Sequence, residues 1–201
     1  MTTTLAAMPS TAAVYDSLAA EYDERYASPA CQLENAHVAD LARALVRDVP
    51  TPLNVLDLGA GTGLALDLKI MRAEECIAVD PSSRMLHRLR AKHPDTAFTH
   101  AGTLSTFLDL VPSPNFDLVL GLFGVGSYLT QADLYALSGL LEARRGVAFL
   151  MTYNGTYRPD YYDADPPTKA PAEQALRALA SARRARYLGT LTGKYGLWLV
   201  V

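Results

Sequence analysis

The sequence predicts an α/β fold in which helices cover both faces of a mostly parallel sheet. Three observations lead to this prediction. Helix and strand patterns alternate from 53 to 152, which is typical of a doubly covered parallel sheet. The strand patterns are short and almost wholly apolar, as in strands buried on both faces. The last two patterns, 185–191 and 195–201, are separated by Thr-Gly-Lys and indicate an antiparallel hairpin.

Composition bounds the class of protein. The chain has 201 residues, half of them hydrophobic, enough for one domain whose core needs no metal or disulfide. The net charge of −3 gives no support to a nucleic-acid partner. Two cysteines, Cys31 and Cys76, are too few for a disulfide framework and suit a reducing cytoplasm. We expect residues 1–10 to be a flexible tail and no segment to cross a membrane.

Two helices are predicted before the first strand. Between 11 and 26, Tyr15, Leu18, Ala19, Tyr22 and Tyr26 recur at helical spacing on one face. This stripe either packs on the domain or forms part of a lid over a site. A second helix over 33–47 places Leu33, Ala36, Leu41, Leu45 and Val46 inward and is ended by Pro50. Together these segments, 11–48, form the predicted N-terminal helical lid.

A glycine turn follows the first strand. The strand at 53–58 leads into Gly59, Gly61 and Gly63, and a helix is predicted over 64–71. Glycine permits positive φ and close approach of a ligand to the main chain, and the helix would direct its free N–H groups at the turn. The spacing does not fit Gly-x-Gly-x-x-Gly, and the Gly-Lys-Ser/Thr of a phosphate loop is absent. An ordinary tight turn is the plain alternative.

An acid ends the second predicted strand. Asp80 closes the pattern at 75–80 and lies 23 residues after Asp57, close to where α/β folds place a ribose-binding carboxylate. A helix cap is the alternative, although Ser82 and Ser83 could fill that role. The helix that follows should run to about His93, before Pro94.

The second half of the chain continues the alternation. Strands are predicted at 97–100, 116–121 and 146–152, and helices at 131–143 and 172–182, with the fourth strand beside the first. The stretch 122–129, small and apolar, lies at a strand's carboxyl end, where open sheets bind ligands. The loop 153–171 holds four tyrosines in its first ten residues, which indicates a substrate-side wall or a stapled surface loop. The basic cluster of Arg183, Arg184 and Arg186 is a solvated helix end or an anion contact.

Three of these segments together resemble the class I S-adenosylmethionine-dependent methyltransferases. Asp57, Gly59, Gly61 and Gly63 resemble motif I of that family. The segment 80–86, Asp-Pro-Ser-Ser-Arg-Met-Leu, is similar to its Asp-x-Ser-x-x-Met-Leu. The family's N-terminal Tyr-Asp pattern is matched by Tyr15, Asp16, Ala19, Tyr22, Asp23 and Tyr26.

The resemblance runs from Tyr15 to Val201 and implies a Rossmann-like class I methyltransferase fold. Its sheet would have seven strands in the order 3-2-1-4-5-7-6. The implied cofactor is S-adenosyl-L-methionine, with S-adenosyl-L-homocysteine as product. In the family the acid at Asp80 binds the ribose and the lid helix covers the cofactor. The cofactor-binding residues it implies are Tyr15, Tyr22, Gly59, Ala60, Gly61, Asp80, Pro81, Met85, Gly102, Thr103, Leu104 and Leu120. Thr103 departs from the usual Gly-Asp-Ala, which puts its adenine contact in question.

The implied activity is methyl transfer to an O, N or C atom of a small molecule. Candidates for a general base are His100, Asp117, Tyr128 and Tyr153, Asp117 being expected to face a helix N-terminus. No metal site is expected. A nucleic-acid methyltransferase, suggested by the arginines, and a cofactor-binding protein without turnover are the alternatives. The Asn/Asp-Pro-Pro-Tyr signature of enzymes that methylate base amines is absent.

Overall fold

A computed structural model describes residues 10–47, 49, 51–112, 114–155, 157 and 169–201. Within these residues, seven strands form one sheet in the order β3-β2-β1-β4-β5-β7-β6, which confirms the order that the family resemblance implies. The strands are β1 Val55–Leu58, β2 Cys76–Asp80, β3 Phe98–Ala101, β4 Leu118–Gly121, β5 Val147–Tyr153, β6 Ala185–Leu191 and β7 Tyr195–Val200.

Strand β1 lies at the centre of the parallel part. Val55 pairs with Cys76 of β2 on one side and with Leu118 of β4 on the other. All four residues of β1 and of β4 are buried, because helices cover both faces. Strands β1, β2, β3 and β4 are parallel to one another. Their carboxyl ends therefore meet at one edge of the sheet. Strand β7 is antiparallel to β5 and β6, which confirms the C-terminal hairpin.

Residues 10–47 form three helices: α1 Thr11–Leu18, α2 Tyr22–Arg25 and α3 Pro29–Leu45. The aromatic stripe at 11–26 was predicted as one helix, which is wrong. The two short helices meet in a turn at Ala19–Glu21, where the N–H of Glu21 donates to the carbonyl of Leu18 at 3.1 Å.

Helix α3 also differs from its prediction. It begins four residues earlier than expected, because the hydroxyl of Ser28 caps it and Pro29 suits the first helical position. It ends at Leu45, two residues before the predicted end at 47. Pro50, which was expected to stop it, is outside the described residues. Leu33, predicted to face inward, is 75% exposed. The buried face of α3 consists of Val38, Ala39 and Ala42.

The remaining helices are α4 Leu64–Asp67, α5 Ser83–Lys92, α6 Leu104–Leu110, α7 Gln131–Arg144 and α8 Lys169–Ser181. Helix α4 is a single turn, shorter than the predicted 64–71. Helix α6 was not predicted from the sequence. Residues of α3, α4 and α5 pack in one apolar layer, and those of α6, α7 and α8 pack in the other, on the opposite face of the sheet.

Two predicted segments lie largely outside the described residues. The expected tail is described only at Ser10, which caps α1. The expected substrate-side loop, 153–171, is described at 153–155, 157 and 169–171, where α8 begins. Its tyrosines at 161 and 162 are therefore outside the described residues. In the basic cluster, Arg184 pairs with Glu142 at 2.7 Å, which supports a structural role for that arginine.

Candidate functional site

A cavity of about 560 Å³ lies over the carboxyl ends of β1 to β4. We call it the main cavity. The glycine turn, the end of β2, the β3–α6 junction, the segment after β4 and the first two helices each supply part of its wall. The described residues that line it are Thr11, Tyr15, Tyr22, Asp57, Leu58, Gly59, Ala60, Gly61, Thr62, Leu64, Ala65, Val79, Asp80, Pro81, Met85, Gly102, Thr103, Leu104, Ser105, Leu122, Phe123, Val125, Tyr128, Leu129, Thr130, Ala132, Asp133 and Tyr153.

The glycine turn needs its glycines for two different reasons. At Gly59, with φ of +62°, a Cβ would lie 2.5 Å from Cγ2 of Val125, so a side chain there collides with the segment after β4. At Gly61, with φ of +55°, the nearest atom to a Cβ would be the carbonyl oxygen of Gly59 at 3.9 Å. A side chain at Gly61 would thus enter open space, and this glycine lines the main cavity. Absence of a Cβ therefore keeps the cavity accessible to the main chain.

Asp80 joins the end of β2 to the glycine turn. Its Oδ2 accepts from the N–H of Gly61 at 2.9 Å, and its Oδ1 accepts from the N–H of Ser82 at 2.8 Å. The residue is 6% exposed and lines the main cavity. Burial raises the pKa of Asp80 to about 6, although both backbone hydrogen bonds act in the other direction. Each carboxylate oxygen has a second lone pair, so Asp80 retains capacity to accept from a ligand.

Asp57, at the third position of β1, brings a second carboxyl group to the main cavity. Burial raises its pKa to about 7, and the charge of Asp80 adds to this effect. Two carboxyl groups in one apolar wall disfavour simultaneous ionisation. The sequence marked Asp57 as the first residue of the glycine pattern without assigning it to the site.

The acids of the Tyr-Asp pattern anchor the N-terminal helices over the cavity. Asp16 of α1 accepts from the hydroxyl of Ser82 at 2.6 Å and from the N–H of Arg84 at 3.0 Å. The hydrogen bond from Ser82 holds the pKa of Asp16 below its usual range. Asp23 of α2 accepts a hydrogen bond from the hydroxyl of Thr62 in the glycine turn.

Hydrogen bonds from two neighbouring side chains favour the ionised form of Asp23. Its carboxylate also accepts from Nζ of Lys92 at 3.1 Å. Burial opposes ionisation, but the hydrogen bonds from Thr62 and Lys92 outweigh it and lower the pKa of Asp23. Tyr15 and Tyr22, the tyrosines that precede Asp16 and Asp23 in the Tyr-Asp pattern, line the main cavity with ring centroids 6.4 Å apart.

Two further tyrosines form the wall beside β4 and β5. The ring centroids of Tyr128 and Tyr153 lie 6.3 Å apart, nearly perpendicular. A Cβ on Gly124 would lie 2.3 Å from the ring of Tyr153, so that ring packs directly on the glycine. The hydroxyl of Ser127 accepts from the N–H of Tyr153 at 2.8 Å and fixes the strand to this segment.

The β3–α6 junction closes the end of the cavity near Asp80. The N–H of Gly102 donates to the carbonyl of Asp80 at 3.0 Å. Thr103 caps α6, its hydroxyl accepting from the N–H of Thr106 at 3.3 Å. Thr103, which departs from the family's Gly-Asp-Ala, therefore uses its hydroxyl to cap α6. Pro81 and Met85 line the cavity beside the junction.

The structure places three of the expected site residues away from the main cavity. Leu120 is fully buried in the apolar layer under α3. His100 directs Nε2 to the hydroxyl of Thr106 at 3.0 Å, and it is not among the described lining residues. Asp117 accepts from the N–H of Asn54 at 2.8 Å, so the expectation that it faces a helix N-terminus is wrong.

Other lining residues were not predicted from the sequence. Leu122, Phe123, Val125 and Leu129 belong to the small and apolar stretch 122–129, in which the sequence singles out Tyr128 alone. The spacing of these four residues follows neither a strand nor a helix period, because the stretch contains a 3-10 turn at Val125–Ser127. Such a turn leaves no periodic signal from which to choose the side chains that face a ligand.

Neither a metal-binding cluster nor a membrane-spanning helix occurs among the described residues. Within that part of the chain, no three His, Cys, Asp or Glu side chains are grouped so that they could hold a metal ion. None of its helices is both long and apolar enough to cross a membrane.

Comparison with known proteins gives one family-model match and several structures of similar fold. Residues 55–144 match the family model described as a methyltransferase domain. No curated protein matches the sequence. Three solved structures that resemble the chain, DesVI, WbdD and BamL, are between 12% and 21% identical to it, so they bear on the fold alone.

These three structures agree with the chain over most of its length. DesVI of Streptomyces venezuelae has a TM-score of 0.57 at 21% identity, with 94% of this chain and 96% of that chain covered. The bifunctional kinase-methyltransferase WbdD has a TM-score of 0.57 at 19% identity, with 98% of this chain covered. This chain spans 44% of the length of WbdD. The plantazolicin methyltransferase BamL, solved in complex with a triazolic desmethylPZN analog and S-adenosylhomocysteine, has a TM-score of 0.56 at 12% identity, with 85% of this chain and 70% of that chain covered.

The family-model match thus includes the glycine turn and the acid at the end of β2. The strand order agrees with it. Residues 55–144 match the methyltransferase-domain model, and the chain as a whole has the fold of the class I S-adenosylmethionine-dependent methyltransferases.

Proposed function

We propose that this protein transfers a methyl group from S-adenosyl-L-methionine to an O, N or C atom of a small molecule. The observation that carries the proposal is Asp80. Its carboxylate is fixed by two backbone N–H groups in the wall of the main cavity, next to a glycine turn. A buried carboxylate at the end of the second strand of a parallel sheet suits the hydroxyl groups of a ribose.

The residues of the main cavity fit the cofactor. Gly61 leaves the main chain of the turn open, since a Cβ there would meet no atom closer than 3.9 Å. Asp80 would accept from the ribose hydroxyls, and the apolar side chains of Pro81, Met85 and Leu104 would flank the adenine. Tyr15 and Tyr22, on the anchored N-terminal helices, would cover the methionine portion. The volume of about 560 Å³ lies within the usual range for small-molecule sites.

When bound, S-adenosyl-L-methionine supplies an electrophilic methyl group on a cationic sulfur and leaves as S-adenosyl-L-homocysteine. The protein's part is orientation and exclusion of water. Asp16 and Asp23 hold α1 and α2 over the cavity through Ser82 and Thr62. The walls beneath are mostly apolar, which keeps water from the reacting atoms.

Two tyrosines are the remaining candidates for proton transfer. Tyr128 and Tyr153 line the main cavity, whereas His100 and Asp117 are committed to hydrogen bonds elsewhere. A base of this kind contributes about 10²–10⁴-fold when the acceptor must lose a proton. We propose no covalent intermediate on the protein.

A small-molecule acceptor is favoured over nucleic acid. The protein is slightly acidic, with a net charge of −3, and Arg184 is neutralised by Glu142. BamL was solved with a triazolic analogue and S-adenosylhomocysteine. The free cysteines, Cys31 and Cys76, lead us to propose the reducing cytoplasm as the location.

Calorimetric titration with S-adenosylhomocysteine tests the proposal directly. We expect one site per chain and loss of binding in Gly61→Val, whose side chain would occupy the cavity. Asp40→Asn, a substitution on the exposed face of α3, serves as the control for folding and handling. Absence of binding to the wild-type protein at millimolar ligand would refute the proposal. Salt-dependent retention of tRNA or DNA, by contrast, would point to a nucleic-acid acceptor.

A further inference from the structure

A second cavity of about 310 Å³ adjoins the main one. We call it the side cavity. It shares Tyr22, Thr62, Leu64 and Phe123 with the main cavity, so the two spaces meet beside the glycine turn and the segment after β4. The other described residues that line it are Asp23, Tyr26, Ala27, Cys31, Gln32, Glu34, Asn35, Asp67, Tyr157, Lys194 and Tyr195.

Aromatic rings make up much of its wall. Tyr22 and Tyr26 lie on the N-terminal side, with ring centroids 5.0 Å apart. Phe123 and Tyr157 flank Tyr195 on the other side, each with its ring centroid 5.5 Å from that of Tyr195. These rings meet at tilted or edge-on angles. The face of an aromatic ring attracts cations as well as apolar groups.

The side cavity already holds one ammonium group between a carboxylate and a ring. Nζ of Lys194 donates to Oε1 of Glu34 at 2.8 Å and lies 5.9 Å from the ring centroid of Tyr157. The side chain of Glu34 is only 11% exposed. Its hydrogen bond raises the pKa of Lys194. The local environment therefore stabilises a positively charged nitrogen.

Carboxylates outnumber ammonium groups in this wall. Among the described lining residues, Asp23, Glu34 and Asp67 face the side cavity with Lys194. From outside the lining, Lys92 approaches Asp23 at 3.1 Å and Asp67 at 2.6 Å, and the charge of Arg88 also acts on Asp23. The ring of His93 also contacts Asp67, at 2.8 Å. Within the described lining itself, three carboxylates against one ammonium group favour a cationic or hydrogen-bond-donating guest over an anionic one.

We propose that the side cavity is the acceptor subsite and that it takes a small molecule whose amino group is held among Glu34, Asp23 and the surrounding rings. This assignment rests on the proposed methyltransferase function, which supplies the reaction. An apolar or aromatic body on the amine would pack against Tyr26, Phe123 and Tyr195, and the shared wall at Tyr22 and Phe123 would bring the nitrogen toward the main cavity.

Methyl transfer to such an acceptor balances without a further reactant. The bound ammonium first releases one proton to solvent, by way of the carboxylates of the side cavity. The nitrogen lone pair then forms the new N–C bond while the C–S bond breaks, its electron pair going to sulfur. The methylated ammonium product carries the charge that the sulfonium loses, so no metal, oxidant or reductant is required.

Three ligands of matched shape test the assignment: phenethylamine, hydrocinnamate and phenethyl alcohol. Calorimetry is performed on the protein alone and on the protein saturated with S-adenosylhomocysteine. We expect the amine to bind about tenfold more tightly than the acid or the alcohol, from ring and carboxylate contacts together. Equal or tighter binding of the acid would overturn the proposal. So would the absence of amine binding at millimolar concentration.

Two substitutions separate an amine site from an anion site, because they have opposite expected effects. Glu34→Gln should weaken phenethylamine binding by about tenfold or more, since a charge-assisted hydrogen bond is lost. Lys194→Met should leave amine binding unchanged or tighter, because a competing ammonium is removed. Loss of amine binding in Lys194→Met with retention in Glu34→Gln would contradict the assignment. Asp40→Asn and Arg186→Met, both on exposed positions, are the matched controls.

Failure of this inference differs from failure of the proposed function. If S-adenosylhomocysteine binds but the acid is preferred over the amine, the function stands and the amine assignment falls. If S-adenosylhomocysteine does not bind, the function falls, while the preference of the side cavity is still measured in the protein alone.

Discussion

Asp80→Asn should weaken cofactor binding while leaving the fold intact or more stable. Asp80 accepts from the N–H of Gly61 and from the N–H of Ser82, one on each carboxylate oxygen. An asparagine keeps the shape and one acceptor, but its NH₂ group must then face one of these donors. The side chain would also lose the negative charge toward which the ribose hydroxyls are proposed to point.

The magnitudes follow from the hydrogen bonds and from the pKa. Hydrogen bonds to a charged group contribute about 1.5–3 kcal/mol each, so loss of the ribose contact should reduce affinity by about 10- to 100-fold. Burial raises the pKa of Asp80 to about 6 from its ordinary value of 3.8, which corresponds to about 3 kcal/mol of destabilisation when the group is ionised. Asparagine removes that cost, and the mismatched donor offsets part of the gain.

The sign of the pH dependence is set by the same shift. Because the folded pKa is raised, the folded protein loses stability as pH increases from about 4 to about 6, and Asp80→Asn should remove this component. If the ionised form accepts from the ribose, S-adenosylhomocysteine affinity should fall about tenfold from pH 7 to pH 5 in the wild type and stay flat in the variant. Nearby Asp57 titrates as well, with its pKa raised to about 7.

Calorimetric affinity and the thermal midpoint, both measured across this pH range, test the prediction. Asp117→Asn is the matched control, because Asp117 also accepts from a backbone N–H but lies outside the lining of the main cavity. Unchanged affinity in Asp80→Asn would refute the ribose assignment. A large drop in the thermal midpoint with no separate loss of affinity would instead make Asp80 a structural cap.

Three further outcomes are expected from the site. Asp57→Asn should raise the free energy of unfolding by about 2–3 kcal/mol more at pH 8 than at pH 5, because burial raises the pKa of Asp57 to about 7. Denaturant unfolding at the two pH values measures this difference. An equal effect at both pH values would contradict the prediction. Gly59→Ala should lose about 1–3 kcal/mol of stability through contact with Val125 and be partly rescued by Val125→Ala. Gly61→Ala meets no such contact, so it should lose less stability, through its positive φ alone, and should also lose cofactor affinity. Asp16→Ala removes the hydrogen bonds that Asp16 accepts from Ser82 and Arg84. It should therefore accelerate proteolytic cleavage within 10–28 and weaken S-adenosylhomocysteine binding about threefold or more. Unchanged cleavage would show that these bonds do not hold the lid.

Local signals account for much of what could be predicted. The apolar runs located the strands to within about two residues, because a strand buried on both faces must be apolar throughout. The order of the strands came from the family resemblance rather than from spacing. The spacing of Asp57, Gly59 and Gly61 and the position of Asp80 identified the part of the main cavity built by strand ends, where sequence neighbours are also spatial neighbours.

The parts of the site that depend on long-range packing were not predictable in this way. Leu120 was expected at the cofactor and lies in the core, because strand alternation alone does not say where the strand passes beneath the cavity floor. The break between α1 and α2 is absent from the helical periodicity of the tyrosines. The role of Asp23 required a partner, Thr62, that is distant in sequence.

The sequence by itself determined the fold class, the glycine turn and the acid that follows it, since each depends on residue types within a few positions of one another. Only the tertiary structure decided which side chains share a cavity. It brought Glu34 of α3 to Lys194 of the C-terminal hairpin at 2.8 Å. The physical reason is that a contact between segments so far apart along the chain exists only once the sheet and its helices have packed, and no local pattern encodes it.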